Sequence, residues 1–161
     1  MPARILLVED DPIQRMDLST MLTEQGYLVV GEVADGRSAI ELARTLRPDL
    51  VLMDIRLPDR DGISAAAILR KENIAPVVLL SAFSGAWLVE RARDAGVLNY
   101  LIKPLRESEV RPTIEVALAR DRERRAQEEH ISLLDEQLEA TKRAERQKGL
   151  LMEKRRLEDQ E

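Results

Sequence analysis

"RILLVEDDPIQRM", Arg4 to Met16, is the stretch whose reading decides the fold. Four apolar residues in a row, Ile5 to Val8, run into a turn signal, which is the pattern of a strand buried on both faces. Glu9, Asp10 and Asp11 follow. Three adjacent acids repel one another, and Pro12 keeps them from opening a regular helix cheaply. One of them has an ordinary use, because Asp11 followed by Pro12 makes a good N-cap and first-turn pair. Capping needs one acid. The other two lie just past the C-terminal end of a buried strand, where open α/β sheets hold their ligands, and they call for a cation.

Outward from that stretch the chain alternates between strand and helix patterns. "IQRMDLSTMLTEQG" reads as an amphipathic helix closed by Gly26 at a C-cap position. "YLVVGEV" is a second strand, and "GRSAIELARTLRP" a helix that Pro48 cannot continue. "DLVLMDI" is more apolar than alternating, so it is placed centrally in the sheet. "DGISAAAILRKEN" is a helix, "APVVLLSA" a strand and "GAWLVERARDAG" a helix ended by Gly96. "VLNYLIK" supplies the fifth strand, broken by Pro104, and a helix starts near Glu107. Five strands joined by crossovers long enough for helices predict an α/β fold: a five-stranded parallel, doubly wound, flavodoxin-like sheet.

Composition narrows the function. Of 161 residues 44% are apolar but only 2% aromatic, so Leu, Val, Ile and Ala must build the core. The absence of Cys rules out a disulfide framework and any thiolate nucleophile or metal site, and fits a reducing cytoplasm. No apolar run approaches the roughly 20 residues of a membrane span. The N-terminal apolar run is too short for a secretion signal and meets acids at once. A net charge of −5 argues against non-specific nucleic-acid binding by the whole chain.

Beyond residue 105 the composition changes. Residues 106–161 hold 13 of the 25 Lys and Arg and 15 of the 30 Asp and Glu, too many charges for a packed core helix. Ile131, Leu134, Leu138 and Thr141 then follow a 3-4-3 spacing, a short coiled-coil seam that gives out at Glu145. The reading is a long exposed helical extension that pairs weakly with a second copy. Residues 1–120 are thus expected to form one α/β domain, and 121–145 a charged helix or coiled-coil linker.

The chemistry-bearing residues gather at one sheet edge. Asp54 ends the third strand, Ser81 the fourth and Lys103 the fifth, on the side where Glu9 and Asp10 follow the first. Carboxylates there suit a hard divalent cation such as Mg²⁺. One carboxylate can attack phosphorus, while a hydroxyl and an ammonium neutralise phosphoryl oxygens. Each residue also has a plainer use: Ser81 could satisfy local backbone, Lys103 could snorkel, and Tyr100 and the lone Trp87 could be packing. His130 lies in a charged helix and is read as solvated.

These motifs, in this order, resemble the response-regulator receiver domain of two-component signalling over residues 1–120. The resemblance implies that Asp54 is the phosphoacceptor and also a metal ligand. It makes Asp10 a direct ligand of Mg²⁺ (or Mn²⁺), Glu9 a ligand mostly through water, and the Arg56 backbone carbonyl a third protein ligand. It makes Ser81 the switch hydroxyl, Tyr100 the switch aromatic and Lys103 the phosphate-binding cation, with a cis Lys103–Pro104 bond. It implies a sensor histidine kinase as partner, a homodimer through the receiver face and C-terminal helix, and no enzymatic action on other molecules.

The tail carries a second resemblance. "RQKGLLMEKRRLEDQE", Arg146 to Glu161, is similar to the opening helix of ANTAR domains, the RNA-binding modules of antitermination regulators, with Gln147 where that family usually has Ala. The chain stops after that first helix, so 146–161 is expected to be the start of a truncated output module. A hairpin RNA would be its target only with the module complete. The competing reading is a receiver whose own helix dimerises or docks a protein. A metal-dependent phosphatase is disfavoured because Arg56 stands where a second acid would be needed.

Overall fold

In a computed structural model, residues 1–97 and 99–159 are described. Five strands, β1 (Arg4–Val8), β2 (Leu28–Val33), β3 (Leu50–Asp54), β4 (Val77–Ser81) and β5 (Asn99–Ile102), form one sheet. Its order is β2-β1-β3-β4-β5 and every pairing is parallel. The helices are α1 (Pro12–Glu24), α2 (Gly36–Leu46), α3 (Gly62–Lys71), α4 (Ala86–Asp94) and α5 (Glu107–Asp159). β3 is the central strand, as its unbroken apolar run requires. Leu98, in the segment read as the fifth strand, and Gln160 and Glu161, in the ANTAR-like stretch, lie outside the described residues.

Strand pleating divides the core in two. Leu6, Val8, Val51, Met53, Val77 and Leu79 face α2, α3 and α4. Their neighbours Ile5, Leu7, Leu50, Leu52, Val78 and Leu80 face α1 and the first turns of α5. Period-two alternation thus covers both faces of β1, β3 and β4 with helices, and these three strands need no polar side. Local signals act where the sequence put them. The Asp11 carboxylate caps α1 by accepting from the Ile13 and Gln14 amides, with Pro12 in the first turn. Gly26, at φ +92°, turns the chain out of α1 in a conformation that favours glycine.

Residues from Met1 to Asp121 form one compact unit, and those from Arg122 onward a second. Within the second unit the described residues are helical, and Ile131, Leu134 and Leu138 are each about half exposed.

Candidate functional site

The parallel order brings the C-terminal ends of β1, β3, β4 and β5 to one edge. Glu9 continues β1, its amide donating to the Val33 carbonyl at 3.1 Å. Asp54 is the last residue of β3, and Ser81 the last of β4, paired with Ile102. Lys103 follows β5, its amide on the Ser81 carbonyl at 2.7 Å, and the Lys103–Pro104 bond is cis. Glu9, Asp54 and Ser81 are the buried polar or charged side chains among the described residues, and all three stand here. Buried polar groups are costly unless partnered, so their concentration at one edge marks a site rather than a packing accident.

Lys103 organises the acids. Its Nζ donates to Asp54 Oδ2, to Glu9 Oε2 at 3.2 Å and to Gln14 Oε1 at 2.7 Å. The Arg56 amide donates to the other Asp54 oxygen at 2.9 Å. One ammonium facing two buried carboxylates leaves a charge deficit, and Glu9 takes it. Burial first, then the neighbouring Asp54, push the Glu9 carboxyl up to about 7, against the pull of Lys103. Burial also raises Asp54, but hydrogen bonds from Glu9, Lys103 and the Arg56 amide outweigh it and hold Asp54 below its ordinary value. Burial works against the Lys103 charge, yet the two acids hold its pKa above the ordinary value. Asp54 is therefore a buried, ionised carboxylate with a cation on it.

Asp10, Arg56 and Ser81 fall around a cavity of about 670 Å³ that Glu9, Asp54 and Lys103 also line, and Tyr100 does not. Asp10 is on its wall but exposed, while Asp11 is occupied as the α1 cap. Three adjacent acids thus have three fates: buried partner, rim carboxylate and helix cap. Ser81 Oγ donates to the Phe83 carbonyl at 2.7 Å and accepts from the Phe83 amide at 3.0 Å, so its hydroxyl serves the β4–α4 turn. Tyr100 is half-buried against the α2–α4 side of the core. Among the described residues no three His, Cys, Asp or Glu side chains stand ready to hold a metal ion. The donors around the cavity are oxygens, the set a hard divalent cation prefers.

Several lining residues were not legible in the sequence. Trp87, read as packing on α4, is 52% exposed on the cavity rim with the Arg91 guanidinium over its ring at 5.5 Å. The reason is that α4 buries only Leu88 and Ala92, which leaves no groove for an indole. The Arg56 guanidinium lies 4.8 Å over the Phe83 ring, and Gln14 reaches Lys103 across 89 positions of sequence. Pattern alone assigns the Gln14 and Arg56 side chains to a solvated face and Trp87 to packing, so no local signal could have found these contacts.

The sequence matches the family described as response regulator receiver domain over residues 5–115. The transcriptional regulatory protein PdtaR of Mycobacterium tuberculosis is 52% identical over 153 residues, 95% of this chain and 75% of that protein. A two-component response regulator of the LuxR family from Aurantimonas sp. SI85-9A1 superposes with a TM-score of 0.69 at 35% identity, covering 74% of this chain and 86% of that one. CheX-CheY-BeF3-Mg²⁺ from Borrelia burgdorferi superposes with a TM-score of 0.66 at 26% identity, covering 71% and 87%. Among the described residues no helix is long and apolar enough to cross a membrane.

Proposed function

The chain belongs to the response regulator receiver domain family of two-component signalling, and on that premise we propose that Asp54 accepts a phosphoryl group from a sensor histidine kinase. The observation that carries the reading is the ionised, buried Asp54 carboxylate held by Lys103 at the sheet edge, with Glu9 beside it. An Asp54 oxygen attacks phosphorus, the new O–P bond forms as the bond to the donor nitrogen breaks, and the imidazole leaves. Lys103 moves its contact from the carboxylate to a phosphoryl oxygen, so that charge develops against a fixed cation.

Mg²⁺ (or Mn²⁺) fits the donors. Asp10, Asp54 and the Arg56 carbonyl would hold it, with Glu9 acting through water. Its chemistry would be to neutralise the acids and the incoming phosphoryl group together. A second cation is what the buried pair lacks, since Glu9 otherwise keeps its proton up to about pH 7.

Ser81 is the switch. To reach a phosphoryl oxygen its hydroxyl leaves both Phe83 partners, and Tyr100 and the face built from α4, β5 and the start of α5 readjust. The readout is a C-terminal output that in full form binds hairpin RNA and controls antitermination. Support comes from the ANTAR-like residues 146–161 and from the PdtaR match, whose 95% coverage extends past the receiver into the tail. The unpartnered seam of Ile131, Leu134 and Leu138 favours a second reading, in which phosphorylation drives dimerisation or protein docking without nucleic acid.

Intact-mass measurement after incubation with a small acyl phosphate tests the chemistry. The wild type should gain one phosphoryl mass with Mg²⁺ and none without it, and Asp54→Asn should gain none. A fully labelled Asn variant would remove the assignment.

A further inference from the structure

The ammonium of Lys103 has three N–H donors and three acceptors, of which the receiver reading uses two. Asp54 and Glu9 are the acids of the site; the third acceptor is the Gln14 side-chain oxygen at 2.7 Å, from the first turn of α1. We propose that Gln14 is a positioning residue for phosphoryl transfer, holding the Lys103 ammonium at the phosphoacceptor through a neutral contact that stays in place when Asp54 is consumed. This rests on the reading of Asp54 as the acceptor and deepens it.

The Gln14 amide is itself oriented. Its Nε2 donates to Asp11 Oδ2 at 3.3 Å, while Asp11 Oδ1 accepts from the Ile13 and Gln14 amides as the α1 cap. Only one orientation of the amide puts its NH₂ on a carboxylate and its oxygen on an ammonium, so the chemistry of both neighbours selects it. Asp11, the α1 cap at the edge of the cavity, thereby connects the start of α1 to Lys103.

The location makes this contact matter. Gln14 and Lys103 line both the phosphoacceptor cavity and a second one of about 570 Å³, bounded by Leu18, Met21 and Leu105. They form the wall between the two. Without Gln14 the third N–H faces this second space, and the long, flexible Lys side chain gains rotamers that do not point at Asp54. The acid contacts cannot substitute for it. Phosphorylation converts the Asp54 carboxylate into an acyl phosphate, so the oxygen that held Lys103 changes its chemistry. A neutral acceptor is indifferent to that change. A carboxylate in its place would instead compete with the phosphoryl group for the ammonium.

The test uses the full chain and Gln14→Met, which keeps volume and helix propensity and removes the acceptor. Loading from a small acyl phosphate with Mg²⁺ should slow about three- to tenfold. That range is a charge-assisted hydrogen bond discounted for partial access of water. A urea-unfolding cycle of wild type, Gln14→Met, Lys103→Met and the double variant supplies the second readout. The substitution at Gln14 should shift the unfolding equilibrium about three- to tenfold with Lys103 present and negligibly without it. Additive effects across the cycle, or equal loading rates for wild type and Gln14→Met, would overturn the proposal. If the wild type takes no label while the cycle shows coupling, the phosphoacceptor reading falls, and the positioning role with it, leaving only the contact.

Discussion

Replacing Glu9 by Gln should stabilise the metal-free protein at pH 8 and leave it unchanged near pH 4.5. The neutral amide stands in for a protonated Glu9 carboxyl: its oxygen can accept from Lys103, as Glu9 Oε2 does, and its NH₂ can donate to Asp54. The wild-type carboxyl has a folded pKa of about 7 against 4.5 for an ordinary Glu. Below pH 4.5 it is protonated whether folded or unfolded, and contributes no slope. Between pH 4.5 and about 7 the folded state holds a proton that the unfolded state has lost, so stability falls as pH rises, by ~1.4 kcal/mol per unit. Above about 7 both states are ionised and the full loss, roughly 3 kcal/mol, persists. Glu9 is 1% exposed but lines the open cavity, so that figure is an upper bound. The assay is urea unfolding at pH 5, 6, 7 and 8 with a chelator present. The advantage of Glu9→Gln should grow from pH 5 to about pH 7 and then level off, and Mg²⁺ at pH 8 should narrow it by stabilising the wild type more than the variant. Parallel pH profiles for the two proteins, or a variant less stable at pH 8, would refute the argument that burial holds the Glu9 proton.

Gly62→Ala should destabilise by about 3 kcal/mol in urea unfolding, because its Cβ would stand 2.1 Å from the Asp54 carbonyl oxygen, backbone that can yield only by moving the acceptor itself; an unchanged midpoint would show that the α3 start can slide. Ser81→Ala should lose about 1–2 kcal/mol from its two Phe83 hydrogen bonds, and should still be phosphorylated, but its sedimentation should respond less to phosphate than that of the wild type. Identical sedimentation would confine Ser81 to the turn. The 161-residue chain should bind hairpin RNA weakly in titrations at two salt concentrations: Lys142, Arg143, Arg146 and Lys148 form a basic strip, but Glu139 and Glu145 interrupt it and no aromatic follows Tyr100 for bases to stack on. Tight, sequence-specific binding would show that this tail alone is an RNA reader.

Sequence by itself determined the alternation of elements, because the signals that start and stop them act over a few residues. The apolar runs of β1 and β3, the Asp11–Pro12 cap and the left-handed Gly26 needed no tertiary context. Parallel topology followed, since each crossover is long enough for a helix, and it placed Asp54, Ser81 and Lys103 at one edge with Glu9 and Asp10. What the sequence could not distinguish was the fate of neighbours of like chemistry. Glu9 and Asp10 are adjacent acids, yet one is buried on Lys103 and the other exposed, because successive residues leaving a strand point to opposite sides and only the packed sheet decides which side is closed. Trp87 stands out on the rim because α4 buries so little against the sheet. Gln14 was one polar residue among several on α1 until β5 carried Lys103 beside it. Local backbone preference is written residue by residue, whereas the partner of a charge depends on a chain segment folded back from far away, and that only the tertiary structure decided.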